Sequence, residues 1–257
     1  MTAPGIHAEP APAPVACVNL EGNPTPPNAT NDKGQVTRVT TPVLRLLHTA
    51  AERSKGTVLI FPSGGYHVLS IVSDGTDKAK FWNNLGYDAA ILEYTISEKG
   101  WQRDDAVRDL AKKDALAACT LLRTRGNEWG LRGERFILMG GSAGGHLAAR
   151  TVAALPAAER PELLVLFYPA YLEETAPGAN DPGMPLPEGK LPRLFAVMAA
   201  NDNSGWIKGL RGYQTAWEKA GGRTEVEVFS DGGHGFAPGS KAASAWQAPL
   251  AKFVNER

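Results

Sequence analysis

The stretch Phe136-Ile-Leu-Met-Gly140-Gly-Ser142-Ala-Gly144-Gly-His146-Leu-Ala-Ala149 decides how this chain folds. An apolar run ends in a serine flanked by glycines, and a helix-forming segment follows at once. Gly140, Ser142 and Gly144 make a G-x-S-x-G pattern set between strand and helix, the context in which that pattern carries chemistry. A turn this sharp presses backbone on backbone, so a Cβ at either flank would collide and glycine is required on both sides. The serine hydroxyl is then held above the sheet, at the positive end of the new helix. With 28 glycines in 257 residues the bare motif is weak. Its strand-turn-helix setting gives it weight.

Strand and helix alternate on both sides of this turn. The β-rich run 36–47 predicts one or two edge strands, with antiparallel pairing open. All-apolar or nearly apolar runs at 57–61, 87–94, 135–139, 163–168 and 193–198 read as buried parallel strands, and 224–229 alternates like a half-covered one. Helices are expected near 75–85, over 103–125, from 146 to 155, over 212–220 and over 242–255. The long one should turn Val107, Leu110, Ala111, Ala115, Ala118 and Leu122 inward. The fold class is therefore α/β, with a mostly parallel sheet, right-handed crossovers and helices on both faces.

Residues 1–35 lack any hydrophobic period and read as an extended arm rich in proline and alanine, leaving 36–257 as a single catalytic domain. No basic and apolar block follows Met1, so no signal peptide is read there. Alanine-proline arms often follow an export leader, so a secreted or periplasmic location with the leader removed is one expectation, the cytoplasm the other. The 27 basic and 27 acidic residues balance. Nothing in that balance marks a nucleic-acid or acidic-membrane surface, and no apolar run approaches membrane-spanning length. Cys17 and Cys119 form no metal-ligand pattern, and a bridge between them is left open.

A serine hydroxyl is a weak nucleophile and needs a base, which in turn needs an orienting acid. His234, in Asp231-Gly-Gly-His234-Gly-Phe236, follows the last strand on a glycine loop and is the expected base. His146 lies on the helix behind Ser142 and reads as structural; His67 follows the Gly64-Gly65 turn and reads as packing, with substrate contact as the alternative. For the acid, Asp202 follows the preceding strand and gives the chain order Ser, Asp, His. Asp231 and Asp181 are its rivals. An oxyanion hole is expected from the backbone N–H groups of Gly64 and Gly65, in the loop after the 57–61 strand, together with that of Ala143 beside the nucleophile.

Five pieces in this order carry a resemblance: Phe61-Pro-Ser-Gly-Gly-Tyr66, Leu121-Leu-Arg-Thr-Arg-Gly-Asn-Glu-Trp-Gly130, Met139-Gly-Gly-Ser-Ala-Gly-Gly-His-Leu-Ala148, Phe167-Tyr-Pro-Ala-Tyr171 and Gly232-Gly-His-Gly-Phe236. Together the chain resembles serine esterases of the α/β-hydrolase superfamily, in the branch that includes acetyl-xylan and feruloyl esterases. The resemblance implies the α/β-hydrolase fold with Ser142, Asp202 and His234 as a triad and the oxyanion hole at Gly64-Gly65. It implies no cofactor and no metal. Two departures stand out. Ser63 replaces the first of the family's usual glycines, and Thr95 stands where an arginine is common.

Residues 171–191 are too broken by proline for a helical lid and read as a short loop-type cap over an open cleft. Tyr66, Trp101, Tyr171 and Trp206 are the expected aromatic walls for substrate. The expected substrate is an acetyl or feruloyl ester on plant polysaccharide such as xylan, or another small ester. A prolyl-oligopeptidase-like peptidase, an arylformamidase-like amidase and a non-catalytic binding protein on the same scaffold are the alternatives. Oligomeric state is not legible.

Overall fold

The computed structural model describes residues 16–174 and 183–256. Among them eight strands form one sheet: β1 (Cys17–Asn19), β2 (Val43–Leu47), β3 (Gly56–Phe61), β4 (Asp88–Glu93), β5 (Arg135–Gly141), β6 (Leu163–Phe167), β7 (Arg193–Ala199) and β8 (Thr224–Phe229). Their order across the sheet is β1-β2-β4-β3-β5-β6-β7-β8. From β4 to β8 every pairing is parallel, and β1 and β2 are antiparallel additions at one side. Every residue of β3, β4 and β6 is buried, as their apolar runs require of strands covered on both faces. β8 alternates Thr-Glu-Val-Glu-Val-Phe and is half-covered, consistent with its place at the far edge.

Among the described residues six α-helices connect or flank the strands: α1 (Asp77–Asn84), α2 (Asp105–Arg125), α3 (Ala143–Ala154), α4 (Ser204–Lys219), α5 (Lys241–Ala245) and α6 (Gln247–Asn255). Only the β3-to-β4 connection runs toward β1; the later ones run toward β8. Right-handed crossovers therefore place α1 on the face opposite α2 and α3. Phe81 of α1 meets Trp246, at the start of α6, with ring centroids 4.7 Å apart, which puts both on that face.

Four sequence expectations shift. The edge of the sheet is β1, whose Cys17–Asn19 pairs with β2 although it lies within the segment expected as an arm. Three residues are too short to show a strand period in the sequence. Only Val43–Leu47 of the 36–47 run is strand, while Val36 makes isolated bridges to Thr30 and Leu69. The final helix is two helices that meet at Trp246. In α2 the buried face holds Ala111, Ala115, Ala118 and Leu122 as expected, with Arg108, Cys119 and Leu121 beside them, while Leu110 is 46% exposed. The Arg108 guanidinium lies 4.5 Å from the Tyr171 ring and 2.6 Å from Glu174. Both cysteines are buried and free.

Candidate active site

The sharp turn read from the sequence joins β5 directly to α3. Ser142 sits between them at φ 50° and ψ −118°, a conformation that costs a non-glycine residue on the order of 1–3 kcal/mol. The surrounding backbone holds it there. Ser142 N–H donates to Phe167 O at 2.9 Å, and Ser142 O accepts from His146 N–H at 3.1 Å and Ala170 N–H at 3.2 Å. A Cβ on Gly140 would lie 2.1 Å from Gly144 O, and one on Gly144 would lie 2.1 Å from Phe61 O. Both glycines are sterically obligatory.

Strain of this kind is confined to a small part of the chain. Among the described residues the non-glycine positions with positive φ are Tyr66, Ser142, Tyr168, Tyr171 and Phe236. They belong to the loop after β3, the turn after β5, the segment after β6 and the loop after β8, all at the carboxyl edge of the parallel strands. Such strain persists only where the surrounding packing over-determines it, and it gathers at sites that act.

At that edge Ser142 Oγ lies 2.7 Å from His234 Nε2. His234 Nδ1 lies 3.0 and 3.1 Å from the two carboxylate oxygens of Asp202. The Asp202 side chain is wholly enclosed, while that of His234 is 32% exposed. The imidazole is held between the Trp206 ring, 4.4 Å away, and the Tyr168 ring, 5.3 Å away. Its loop is tied back by Gly233 N–H, which donates to Asn201 Oδ1 at 2.9 Å. Asp231, the rival acid, accepts instead from Lys241 N–H at 3.0 Å. Asp181 lies outside the described residues.

The loop after β3 curls on itself: Gly64 O accepts from His67 and Val68 N–H, and Ser63 O from Ser70 N–H. Gly64 has φ 135° and Gly65 has φ 65°, and a Cβ on Gly64 would lie 1.9 Å from Val68 O. Among the described residues the N–H groups of Gly64, Gly65 and Ala143 donate to no protein acceptor. Unpaired N–H groups on a glycine loop and at a helix start can stabilise a developing anion. No group of three or more His, Cys, Asp or Glu side chains is gathered as a metal would need, among the described residues. No helix there is long and apolar enough to cross a membrane.

Residues 109–190 match a protein family described as alpha/beta hydrolase fold. An esterase from the Planctomycetes species Thermogutta terrifontis superposes with a TM-score of 0.67 at 21% identity, covering 84% of this chain and 87% of that one. The chain has the α/β-hydrolase fold. The α/β hydrolase MGS-M1, from a Medee basin deep-sea metagenome library, superposes with a TM-score of 0.64 at 23% identity, covering 84% of this chain and 91% of that one. In sequence, an acetylxylan esterase from Xylanibacter ruminicola is 23% identical over 202 residues, 70% of this chain. This chain spans 40% of the length of that relative.

On this α/β-hydrolase scaffold the four expected aromatic walls differ in exposure. Trp101 is 73% exposed, and its indole lies so close over Gly65 that a Cβ there would be 2.6 Å from Cζ3. Tyr171 and Trp206 are half-buried and meet edge to face at 5.8 Å. Tyr66 is buried rather than open, with its hydroxyl 2.8 Å from His146 Nδ1. A cavity of about 190 Å³ adjoins the Gly64-Gly65 loop, bordered by Gly65, Tyr66, His67, Trp101, Arg108 and Tyr171. A larger one of about 260 Å³ lies behind it, bordered by Arg108, Lys112, His146, Arg150 and Met184. The smaller reaches the loop at Gly65, and Ser142 and His234 are not among the lining residues of either.

Sequence reading did not find Asp74. Its carboxylate is buried and accepts hydrogen bonds from Ser63 Oγ and from the Tyr168 hydroxyl. In Ser73-Asp-Gly-Thr it looks like an ordinary turn residue. Ser63, where the resemblance leads one to expect glycine, directs its hydroxyl to this carboxylate. Thr95, the other departure, uses its N–H to bond Asp114 at 2.8 Å.

Proposed function

We propose that this protein is a serine carboxylic-ester hydrolase working through an acyl-enzyme on Ser142. The observation that carries this is the unbroken hydrogen-bonded line from Ser142 Oγ through His234 to the enclosed Asp202 carboxylate. His234 Nε2 accepts the serine proton as Oγ attacks the ester carbonyl. Asp202 fixes the imidazole by its Nδ1 and offsets the positive charge that forms. The N–H groups of Gly64, Gly65 and Ala143 take the developing oxyanion, each worth about 2.7–4 kcal/mol in comparable sites. His234 then protonates the leaving alcohol, and water cleaves the acyl-serine by the same steps in reverse.

For substrate, we infer acyl groups on a carbohydrate, with acetylated xylan as the first choice and feruloylated xylan next. Support comes from the similarity to an acetylxylan esterase and from the exposed Trp101 indole over the Gly65 edge of the cavity, a face on which a sugar ring stacks. The test is turnover of a short-chain aryl acetate by the wild-type protein and Ser142→Ala, beside acetate and ferulate release from the two xylans. Activity lost in Ser142→Ala and acetate released by the wild type support the proposal. Equal turnover by both proteins contradicts the mechanism, and cleavage of a peptidyl anilide in preference to esters favours the peptidase alternative.

A further inference from the structure

The geometry points to Asp74 as a positioning residue that ties the oxyanion loop to the packing wall of the His234 imidazole. This rests on the serine-hydrolase reading above and extends it to a residue outside the triad. Asp74 lies in a π-helical turn, Ile71–Thr76, that leads into α1. Its carboxylate is the meeting point of two hydroxyls from distant parts of the chain. Ser63 Oγ donates to one oxygen and the Tyr168 hydroxyl, 94 residues away, to the other. A Cβ on Gly141, immediately before Ser142, would be 3.4 Å from the Asp74 carboxyl carbon and 3.4 Å from the Tyr168 hydroxyl. The carboxylate therefore lies beneath the nucleophile turn itself.

Each arm leads to a working part of the site. Ser63 immediately precedes Gly64 and Gly65, whose N–H groups have no other partner among the described residues. The backbone bonds of residues 63–65 close within the 63–70 loop. The Ser63 side chain adds a tie to the body of the protein. On the other side the Tyr168 ring meets His234 at 5.3 Å and Phe236 at 4.7 Å, both edge to face. Burial and the adjacent Asp74 charge hold the Tyr168 phenol well above its usual range, so it stays a donor.

A buried carboxylate on two neutral hydroxyl donors is an expensive way to fill space. An amide of the same shape would cost less to bury. What a carboxylate supplies is two acceptor oxygens with no competing donor, so both hydroxyls are drawn in together. Oxyanion donors and base are thereby held in one frame, which matters because a displacement of about 1 Å can cost on the order of 100-fold in rate.

The test compares Ser63→Ala, Tyr168→Phe, Asp74→Ala and Asp74→Asn by steady-state turnover of an aryl acetate, with circular dichroism and thermal unfolding for each. Tyr168→Phe keeps the ring against His234 and removes only the hydroxyl. Positioning predicts that Ser63→Ala and Tyr168→Phe each lower kcat several-fold, and Asp74→Ala by about tenfold or more, with KM within about twofold. Asp74→Asn, which keeps one acceptor, should recover part of the loss, and adding Ser63→Ala to Asp74→Ala should cost nothing further. A folded Asp74→Ala with wild-type kcat overturns the inference. If that variant does not fold, wild-type kcat in both Ser63→Ala and Tyr168→Phe overturns it equally. Losses confined to KM also overturn it, since they mean substrate contact. Labelling of the wild type by a fluorophosphonate separates the two levels. A wild type that does not react sinks the hydrolase reading, whereas equal labelling rates in wild type and Asp74→Ala sink only the role of Asp74.

Discussion

His234 Nε2 stands 2.7 Å from Ser142 Oγ although 92 residues separate them. The contact exists because β5 and β8, three places apart in the sheet, deliver both side chains to the same carboxyl edge. Asp202 comes from the end of β7, between them and on the side of His234. Parallel strands make this arrangement natural, since every βα loop opens on one edge.

Asp202→Asn tests the proposed orienting role, since it leaves an amide where a carboxylate now meets His234 Nδ1 at 3.0 Å. We expect kcat to fall about 10³–10⁴-fold with little change in folding. Steady-state kinetics on an aryl acetate check this, and a loss under tenfold assigns the orienting role elsewhere.

Gly144→Ala places a methyl 2.1 Å from Phe61 O, and that oxygen belongs to backbone that cannot yield. The expected cost is about 3 kcal/mol, at the upper end of overpacking effects. Urea unfolding measures it, with insoluble expression as the limiting outcome.

How far the chain could be read without coordinates differs from part to part. Parallel strands such as β3 and β4 were legible because burial on both faces leaves an uninterrupted apolar run. The turn at Ser142 was legible because its steric crowding admits only glycine at 140 and 144. Cys17–Asn19 was not, since a three-residue edge strand is fixed by its neighbour and not by its own pattern. The face of α2 that carries Ala111, Ala115, Ala118 and Leu122 was legible from its period, whereas the exposure of Leu110 and the burial of Arg108, stacked on Tyr171 and paired with Glu174, were not, because those partners lie far along the chain. Asp74 had no local signal at all: its partners Ser63 and Tyr168 meet it only in three dimensions.

His146 carries a pH dependence of stability. Burial first, then the charges of Arg108 and Arg150, hold its imidazole well below the ordinary value of 6.5. Below about pH 6.5 the unfolded chain takes up this proton and the folded protein does not, so stability falls as pH drops, by at most about 1.4 kcal/mol per unit from this group. Urea melts at pH 7.5 and 5 should show the fall in the wild type and a smaller one in His146→Asn. Parallel curves for the two proteins contradict the assignment.

Tyr66→Phe removes the hydroxyl that meets His146 Nδ1 at 2.8 Å in a buried setting. Leaving that nitrogen without its partner should cost about 1–3 kcal/mol in urea unfolding. A cost near zero means that water replaces the hydroxyl.

Trp101→Ala tests the carbohydrate assignment. Its indole is 73% exposed and covers Gly65, so its loss should raise KM for an acetylated xylo-oligosaccharide about tenfold and leave a small aryl acetate nearly unchanged. Equal effects on both substrates place the indole in loop support instead of sugar contact.

Intact-mass measurement after fluorophosphonate treatment decides whether Ser142 is the activated nucleophile. One adduct per chain is expected, carried on the peptide containing residue 142 and absent from Ser142→Ala. An unreacted wild type, or an adduct that persists in Ser142→Ala, contradicts it.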